Sequence, residues 1–251
     1  VVLTGVDLTS WGADLPGAPP LGRLVQRILK LVPDLPRLRL SSIDAAEIDE
    51  ALLDAFATSE RLMPYLHLSL QHGDDRMLKR MRRRHLRADA LALIARVRAV
   101  RPDVAFGADL IAGFPTESDE DFMQTMDLIG EVACDAAYSF VYSPRPGTPA
   151  LRMEPESVPP EVASARLKRF QDRQRALQLE SNRAMEGQVL DVLVEGRSKW
   201  EEDVTCGRTS TFKMVNFPGS LALVGRTVPV RSLRGFSNSA RGELLAFPHG
   251  P

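Results

Sequence analysis

The sequence has two cysteines in 251 residues, Cys134 and Cys206. Two thiols so far apart argue against a disulfide scaffold and suit reduced side chains in a cytoplasmic protein. They also leave no cysteine triad, and a site-differentiated iron–sulfur cluster needs three thiolates converging on it. The four histidines include no set at metal-ligand spacing, so no metal is assigned to histidine. No run approaches the roughly 18 apolar residues of a membrane span, so no membrane partner is expected. Internal repeats, low-complexity tracts and a signal peptide are absent from the sequence as it stands. There is also no initiator Met: Val1-Val2-Leu3-Thr4-Gly5 opens the chain inside what reads as a strand. The expectation is a piece of a longer protein.

What is present is ordinary globular material, 44% hydrophobic and 26% charged. The net charge of −1 hides an asymmetry. Residues 158–251 hold 14 Lys/Arg and 10 Asp/Glu, a net of +4, and the remaining 18 and 23 leave residues 1–157 at −5. A mildly basic C-terminal third permits an RNA partner, and ordinary surface charge explains it as well.

Short β-rich apolar runs alternate with helical patterns. Strands are expected at Val1–Gly5, Leu38–Ser42, Tyr65–Leu70, Val104–Ile111 and Ala137–Tyr142. Helices are expected at Leu21–Val32, Glu47–Thr58, Asp75–Arg101 (broken near Arg84–Leu86) and Ser118–Val132. This alternation means βα units and a parallel sheet. Ser118 suits an N-cap, and Asp119, Glu120 and Asp121 complement the helix dipole. Six prolines between Pro144 and Pro160 end this part, and a long helix over Pro160–Glu186 is stopped by Gly187. Beyond it, Gln188–Val194, Thr211–Phe217 and Arg226–Arg231 read as strands of a small antiparallel barrel or sandwich. The domains are thus 1–157, a connecting helix 158–186, and 187–251.

Ligands of parallel α/β sheets sit beyond the carboxyl ends of the strands, where each candidate motif falls. Ala108–Glu117 places Gly113 after an apolar strand, suiting either a flat ligand or a plain βα turn. On Leu66–Asp75, His67, Ser69 and Gln71 share a face, with His67 read as a satisfied core histidine. Arg76–Arg87 holds seven Lys/Arg in twelve residues and no acid. It is either a solvated helix face or an anion site in which Arg offers bidentate geometry. Phe140 and Tyr142 could flank an adenine, or pack in the core. Arg208, Lys213 and Phe217 put basic and aromatic groups on strand-like segments, a common single-stranded nucleic-acid platform.

Taken together, Leu3–Val6, Arg39–Ile43, His67–Asp74, Met81–His85, Asp109–Pro115 and Tyr142–Ala150 resemble the methylthiotransferase branch of the radical-SAM enzymes, in the family's order and at similar spacing. The C-terminal part, with Val194-Glu195-Gly196 and Gly207-Arg208-Thr209, resembles the family's RNA-binding TRAM domain. The resemblance implies an α/β fold: an incomplete, TIM-like radical-SAM parallel βα barrel followed by a small all-β TRAM-like domain. It implies a tRNA methylthiotransferase that adds a methylthio group to carbon 2 of a modified adenosine beside the anticodon. The partner is then the tRNA anticodon stem-loop. A relative modifies an aspartate of a ribosomal protein instead, and a non-catalytic RNA-binding protein on the same scaffold is the alternative.

S-adenosylmethionine is the implied cofactor, cleaved at one 4Fe-4S cluster, with a second cluster participating in sulfur insertion. By position, Gly5 would approach the methionine amino group, and Ser42 and Gln71 the ribose or carboxylate. Arg83 would anchor a carboxylate or the substrate, and Ile111, Gly113, Phe140 and Tyr142 would surround the adenine. Arg208, Lys213 and Phe217 would contact RNA. None of these residues performs the radical step. The family's CxxxCxxC loop is absent, so the chain alone is expected not to perform the reaction. Val2–Trp11 and Gln71-His72-Gly73 resemble the branch acting on threonylcarbamoyladenosine. Tyr138–Ala150 and the C-terminal domain resemble the one acting on isopentenyladenosine.

Overall fold

A computed structural model describes residues 1–44, 48–199 and 201–246. The chain divides into two compact units, Val1–Gln174 and Arg175–Pro251. The division falls inside the long helix.

The first unit is built on β3 (Ser42–Ile43), β4 (Tyr65–Gln71), β5 (Ala105–Ala112) and β6 (Ala136–Val141), a parallel sheet in that order. β1 (Val2–Leu3) and β2 (Arg39–Leu40) pair separately, also in parallel. The first strand is shorter than expected, and Gly5 lies outside it. Helices α1 (Leu21–Leu31), α2 (Glu50–Thr58), α3 (Asp75–Arg80), α4 (Arg87–Val100) and α5 (Asp119–Val132) intervene. Glu47, the expected start of α2, lies outside the described residues. Six of seven residues of β4 are buried, the pattern of a parallel strand covered on both faces.

Local chemistry sets the helix ends. The Ser118 hydroxyl accepts from the Asp121 amide while the Asp121 carboxylate accepts from the Ser118 amide, a capping box opening α5. Asp49 and Asp74 cap α2 and α3 through the Leu52 and Met77 amides. The break in the basic segment begins earlier than expected, at Met81. The Arg83 amide donates to Leu78 O at 2.9 Å and the Arg82 amide to Lys79 O at 3.0 Å. That is a Schellman ending with Arg82, at φ +57, in the left-handed position usually given to glycine.

Helix α6 (Pro160–Arg183) ends ahead of Gly187, at φ +83. In the second unit β7 (Val189–Arg197), β8 (Val204–Arg208), β9 (Met214–Pro218), β10 (Thr227–Gly235) and β11 (Ala240–Leu244) form a closed barrel in the order β10-β11-β9-β8-β7, with β7 returning to β10. Val192, Val194, Val215, Phe217, Val228 and Val230 fill it. β8 and β11 carry glycines, and a Cβ on Gly207 would stand 2.2 Å from Leu193 O. These strands are where neighbouring backbones approach most closely.

Candidate functional site

At the carboxyl ends of β4, β5 and β6 lies a cleft of about 770 Å³. Gln71 ends β4, Ile111 and Phe140 are the penultimate residues of β5 and β6, and Tyr142 follows β6. The β5–β6 register sets Asp109 beside Tyr138 and Ile111 beside Phe140. Gln71, Arg83, Ile111, Phe140 and Tyr142, five of the sequence candidates, line one wall system, together with Arg82 of the basic run and Asp109, which sequence reasoning did not single out. The signal for Asp109 was its parity with Ile111 on β5.

Several features suit a nucleoside ligand. Tyr142 packs edge-on to Phe114 at 5.0 Å, while its buried hydroxyl lacks a protein partner. Gln71 is buried yet holds φ +63, a left-handed conformation of the kind seen at ligand sites. Burial lowers the pKa of the Arg83 guanidinium, with Asp44 and Asp109 opposing that shift. A desolvated guanidinium facing a cleft favours an anionic ligand group.

Beneath the cleft runs a fixed polar chain. The Tyr65 phenol, pushed well above its ordinary range by burial, donates to His67 Nδ1 at 3.3 Å. His67 Nε2 in turn lies 3.2 Å from Asp109 Oδ1. His67 is a satisfied interior histidine. A Cβ on Gly107 would stand 2.2 Å from the Tyr65 oxygen, which explains a glycine in mid-strand.

The His72–Asp74 stretch serves the scaffold. The Asp74 amide donates to His72 Nδ1 at 3.0 Å, leaving Nε2–H to donate to Glu117 at 2.9 Å. Glu117, fully buried, also accepts from the Gly113 amide at 2.8 Å and from Arg166 on α6 at 2.7 Å. Arg166 reaches Asp119 as well. This network, unseen in the sequence because its members lie up to 49 residues apart, pins the loops after β4 and β5.

Four residues singled out in the sequence lie elsewhere than on the cleft or an exposed barrel face. Gly113 does not line the cleft: its φ is +72, and a Cβ would stand 2.5 Å from the Ala163 Cβ, so it admits α6. Gly5 lines neither this cleft nor its neighbour and makes ordinary contacts with Leu8. Ser42 lines an adjoining cavity, which shares Arg82 and Arg83 with the cleft. In the second unit, Phe217 is wholly buried in the barrel core, out of reach of a base. Arg208 pairs with Glu195 and lies 4.5 Å over the Phe212 ring. Lys213 donates to Ser181 Oγ and Asn182 Oδ1, holding the end of α6.

The radical SAM superfamily matches residues 1–129 and the TRAM domain residues 183–245. The chain belongs to the radical SAM superfamily. Over nearly its whole length it is similar to curated tRNA-modifying enzymes. It is 53% identical over 168 residues to a threonylcarbamoyladenosine tRNA methylthiotransferase of Rickettsia prowazekii, covering 67% of this chain and 39% of that one. It is 41% identical over 247 residues to a tRNA-2-methylthio-N(6)-dimethylallyladenosine synthase of Magnetococcus marinus, covering 98% and 56%. The chain spans about half the length of the curated relatives it matches. Among solved structures, coproporphyrinogen III oxidase of Escherichia coli, a radical SAM enzyme, shares the fold at a TM-score of 0.52 and 13% identity, over 93% of this chain and 58% of that one.

The family implies S-adenosylmethionine and a 4Fe-4S cluster. The cleft fits the first through the orphaned Tyr142 hydroxyl, the aromatic walls and Arg83. The residues present do not fit the second. Cys134 is buried, its thiol pushed up to about 12 by burial, and Cys206 belongs to the other unit. Two such thiols cannot supply three converging ligands.

Proposed function

We propose that this chain carries the S-adenosylmethionine cleft and the RNA-binding barrel of a cytoplasmic tRNA methylthiotransferase acting on the anticodon stem-loop. It would be organised as a cofactor domain (1–157), a connecting helix (158–186) and a TRAM domain (187–251). The observation that carries the reading is the convergence of Gln71, Asp109, Ile111, Phe140, Tyr142 and Arg83 on one cleft at the strand tips. S-adenosylmethionine supplies the activated sulfonium. Ile111 and Phe140 give apolar walls for a purine, and Tyr142 adds an edge and a hydroxyl. Gln71 and Asp109 offer amide and carboxylate groups to ribose hydroxyls, and Arg83 offers two donors to the methionine carboxylate. Gln71, by its fixed backbone, sets the depth at which the ligand sits. Arg208 and Lys213 contribute positive charge toward phosphates, alongside their structural partners.

Calorimetric titration with S-adenosylhomocysteine tests this reading. One-to-one binding is expected, weakened about tenfold in Phe140→Ala, which corresponds to about 1.4 kcal/mol. No binding, or binding indifferent to Phe140 and Tyr142, would sink it.

A further inference from the structure

Two turns of the C-terminal barrel each carry a phenylalanine that stands outside its core. β9 and β11 run parallel, with Val215 beside Ala240. The turn leading into β9 (209–213) and the turn leading into β11 (236–239) therefore lie at the same end of the barrel. Both are tied to one buried residue, Asn182 on α6. Its Nδ2 donates to Phe236 O at 2.6 Å, and its Oδ1 accepts from Lys213 Nζ at 3.3 Å. Glu186 holds the second turn too, accepting from the Gly235 amide at 2.8 Å.

Each turn presents its ring with an arginine laid on it. The Arg208 guanidinium lies 4.5 Å from the centre of Phe212, and that of Arg234 lies 5.2 Å from the centre of Phe236. Phe236 is 43% exposed, where Phe217 is wholly buried. Phe212 holds φ +71, a left-handed position that a bulky residue rarely takes. Its amide donates to Thr209 O at 3.1 Å, and the next amide donates to Thr209 Oγ1 at 3.0 Å, so the turn is locked in that form. Strain kept at an aromatic residue, where glycine would be relaxed, points to a use for the ring.

We propose that these two turns form a clamp for single-stranded RNA, in which Phe212 and Phe236 each stack an unpaired base while Arg208, Arg234 and Lys213 lie toward the phosphates. The inference rests on the reading of the barrel as RNA-binding and deepens it, by naming the form of RNA that it takes and the residues that select it. An aromatic face accepts any base by stacking, and the guanidinium over each ring fixes its plane before the strand arrives. In a duplex the base faces are already covered by their neighbours, so only unstacked bases can enter. An apolar protein partner would have to cover the Arg234 guanidinium without offering it charge, which favours the nucleic acid.

The test is fluorescence anisotropy on the full chain with three labelled RNAs of equal length: a single strand, a duplex, and a strand whose central nucleotides are abasic. The single strand is expected to bind roughly tenfold more tightly than either of the others. Phe236→Ala should lose about tenfold on the single strand and nothing on the abasic one, and Phe236→Tyr should restore the loss. Equal affinity for the normal and abasic strands would overturn the clamp. That comparison needs no variant, so a misfolded mutant cannot decide it. It would also leave the RNA-binding reading standing on phosphate contacts alone. A preference for the duplex, or a Phe236→Ala loss of equal size on normal and abasic strands, would overturn the clamp as well. No binding of any of the three RNAs would sink the RNA-binding reading together with it.

Discussion

The two units of this chain solve opposite problems with β-structure. In the C-terminal barrel every strand has two neighbours and the core is built mainly of Val, Leu and Phe side chains, with uncharged polar groups such as Thr205 and Ser232 buried beside them. The parallel sheet ends on β6, where Tyr138 is 57% and Phe140 54% exposed, and its interior holds His67, Gln71, His72 and Glu117. The barrel keeps its charges outside in cross-strand pairs such as Arg231–Glu243. The sheet buries charge and satisfies it. Closure gives stability with little chemistry, whereas the open sheet offers ligand-facing positions and needs a polar network to hold them.

The sharpest way to break this contrast is one deletion in each interior. Glu117→Ala leaves the buried Arg166 with only the exposed Asp119 as carboxylate partner and frees the Gly113 amide. The expected cost to the first unit is about 3–5 kcal/mol. Phe217→Ala empties the middle of the barrel and is expected to cost the second unit about 3–4 kcal/mol. Native-state amide exchange read separately in β5 and β10 checks both. If Glu117→Ala left β5 protection unchanged, the buried network would not be what holds the sheet.

A smaller effect separates the units by pH. Burial raises the Asp121 pKa, but hydrogen bonds from the Ser118 amide and from Arg76 outweigh it, so the carboxyl titrates below its ordinary 3.8. A depressed folded-state pKa means stability that is present above the unfolded value and lost as pH falls through the folded one. The first unit is therefore expected to weaken in the region below about pH 4. Asp121→Asn should remove that component and lower stability at neutral pH by about 1 kcal/mol, the typical worth of a cap. Denaturant midpoints at pH 7 and pH 3 are the measurement. An acid sensitivity unaltered in the variant would place its origin elsewhere.

Much of this architecture is legible in the sequence, for identifiable reasons. β4 and β5 show as dense apolar runs, α5 as a capped amphipathic stretch, and the cleft as residues at strand tips. What stayed hidden has physical causes too. β8 and β11 are short and contain Gly207 and Gly242, which carry no periodic signal. Gly113 resembles a ligand-facing glycine until Ala163, 50 positions away, is seen against it. Phe217 sits on a strand whose inward parity depends on closure of the barrel. Glu117 reads as a helix-start acid because its guanidinium partner comes from α6. Local pattern shows local structure; contacts between distant segments decide what each polar residue does.

The smallest prediction sets stability against recognition at a single residue. Arg82 occupies a left-handed backbone position that costs a non-glycine residue about 1–2 kcal/mol. Glycine there relieves the strain, while its extra unfolded-state freedom takes back about 0.4–1 kcal/mol. Arg82→Gly is thus expected to stabilise the first unit by roughly 0.5–1 kcal/mol. The same change removes a guanidinium from the wall common to both cavities, so S-adenosylhomocysteine, which bears a carboxylate, should bind more weakly. Thermal melting paired with calorimetric titration reads both signs at once. A variant that melts earlier and binds equally well would mean that Arg82 is kept for packing, and that the strain at its backbone has no bearing on the ligand.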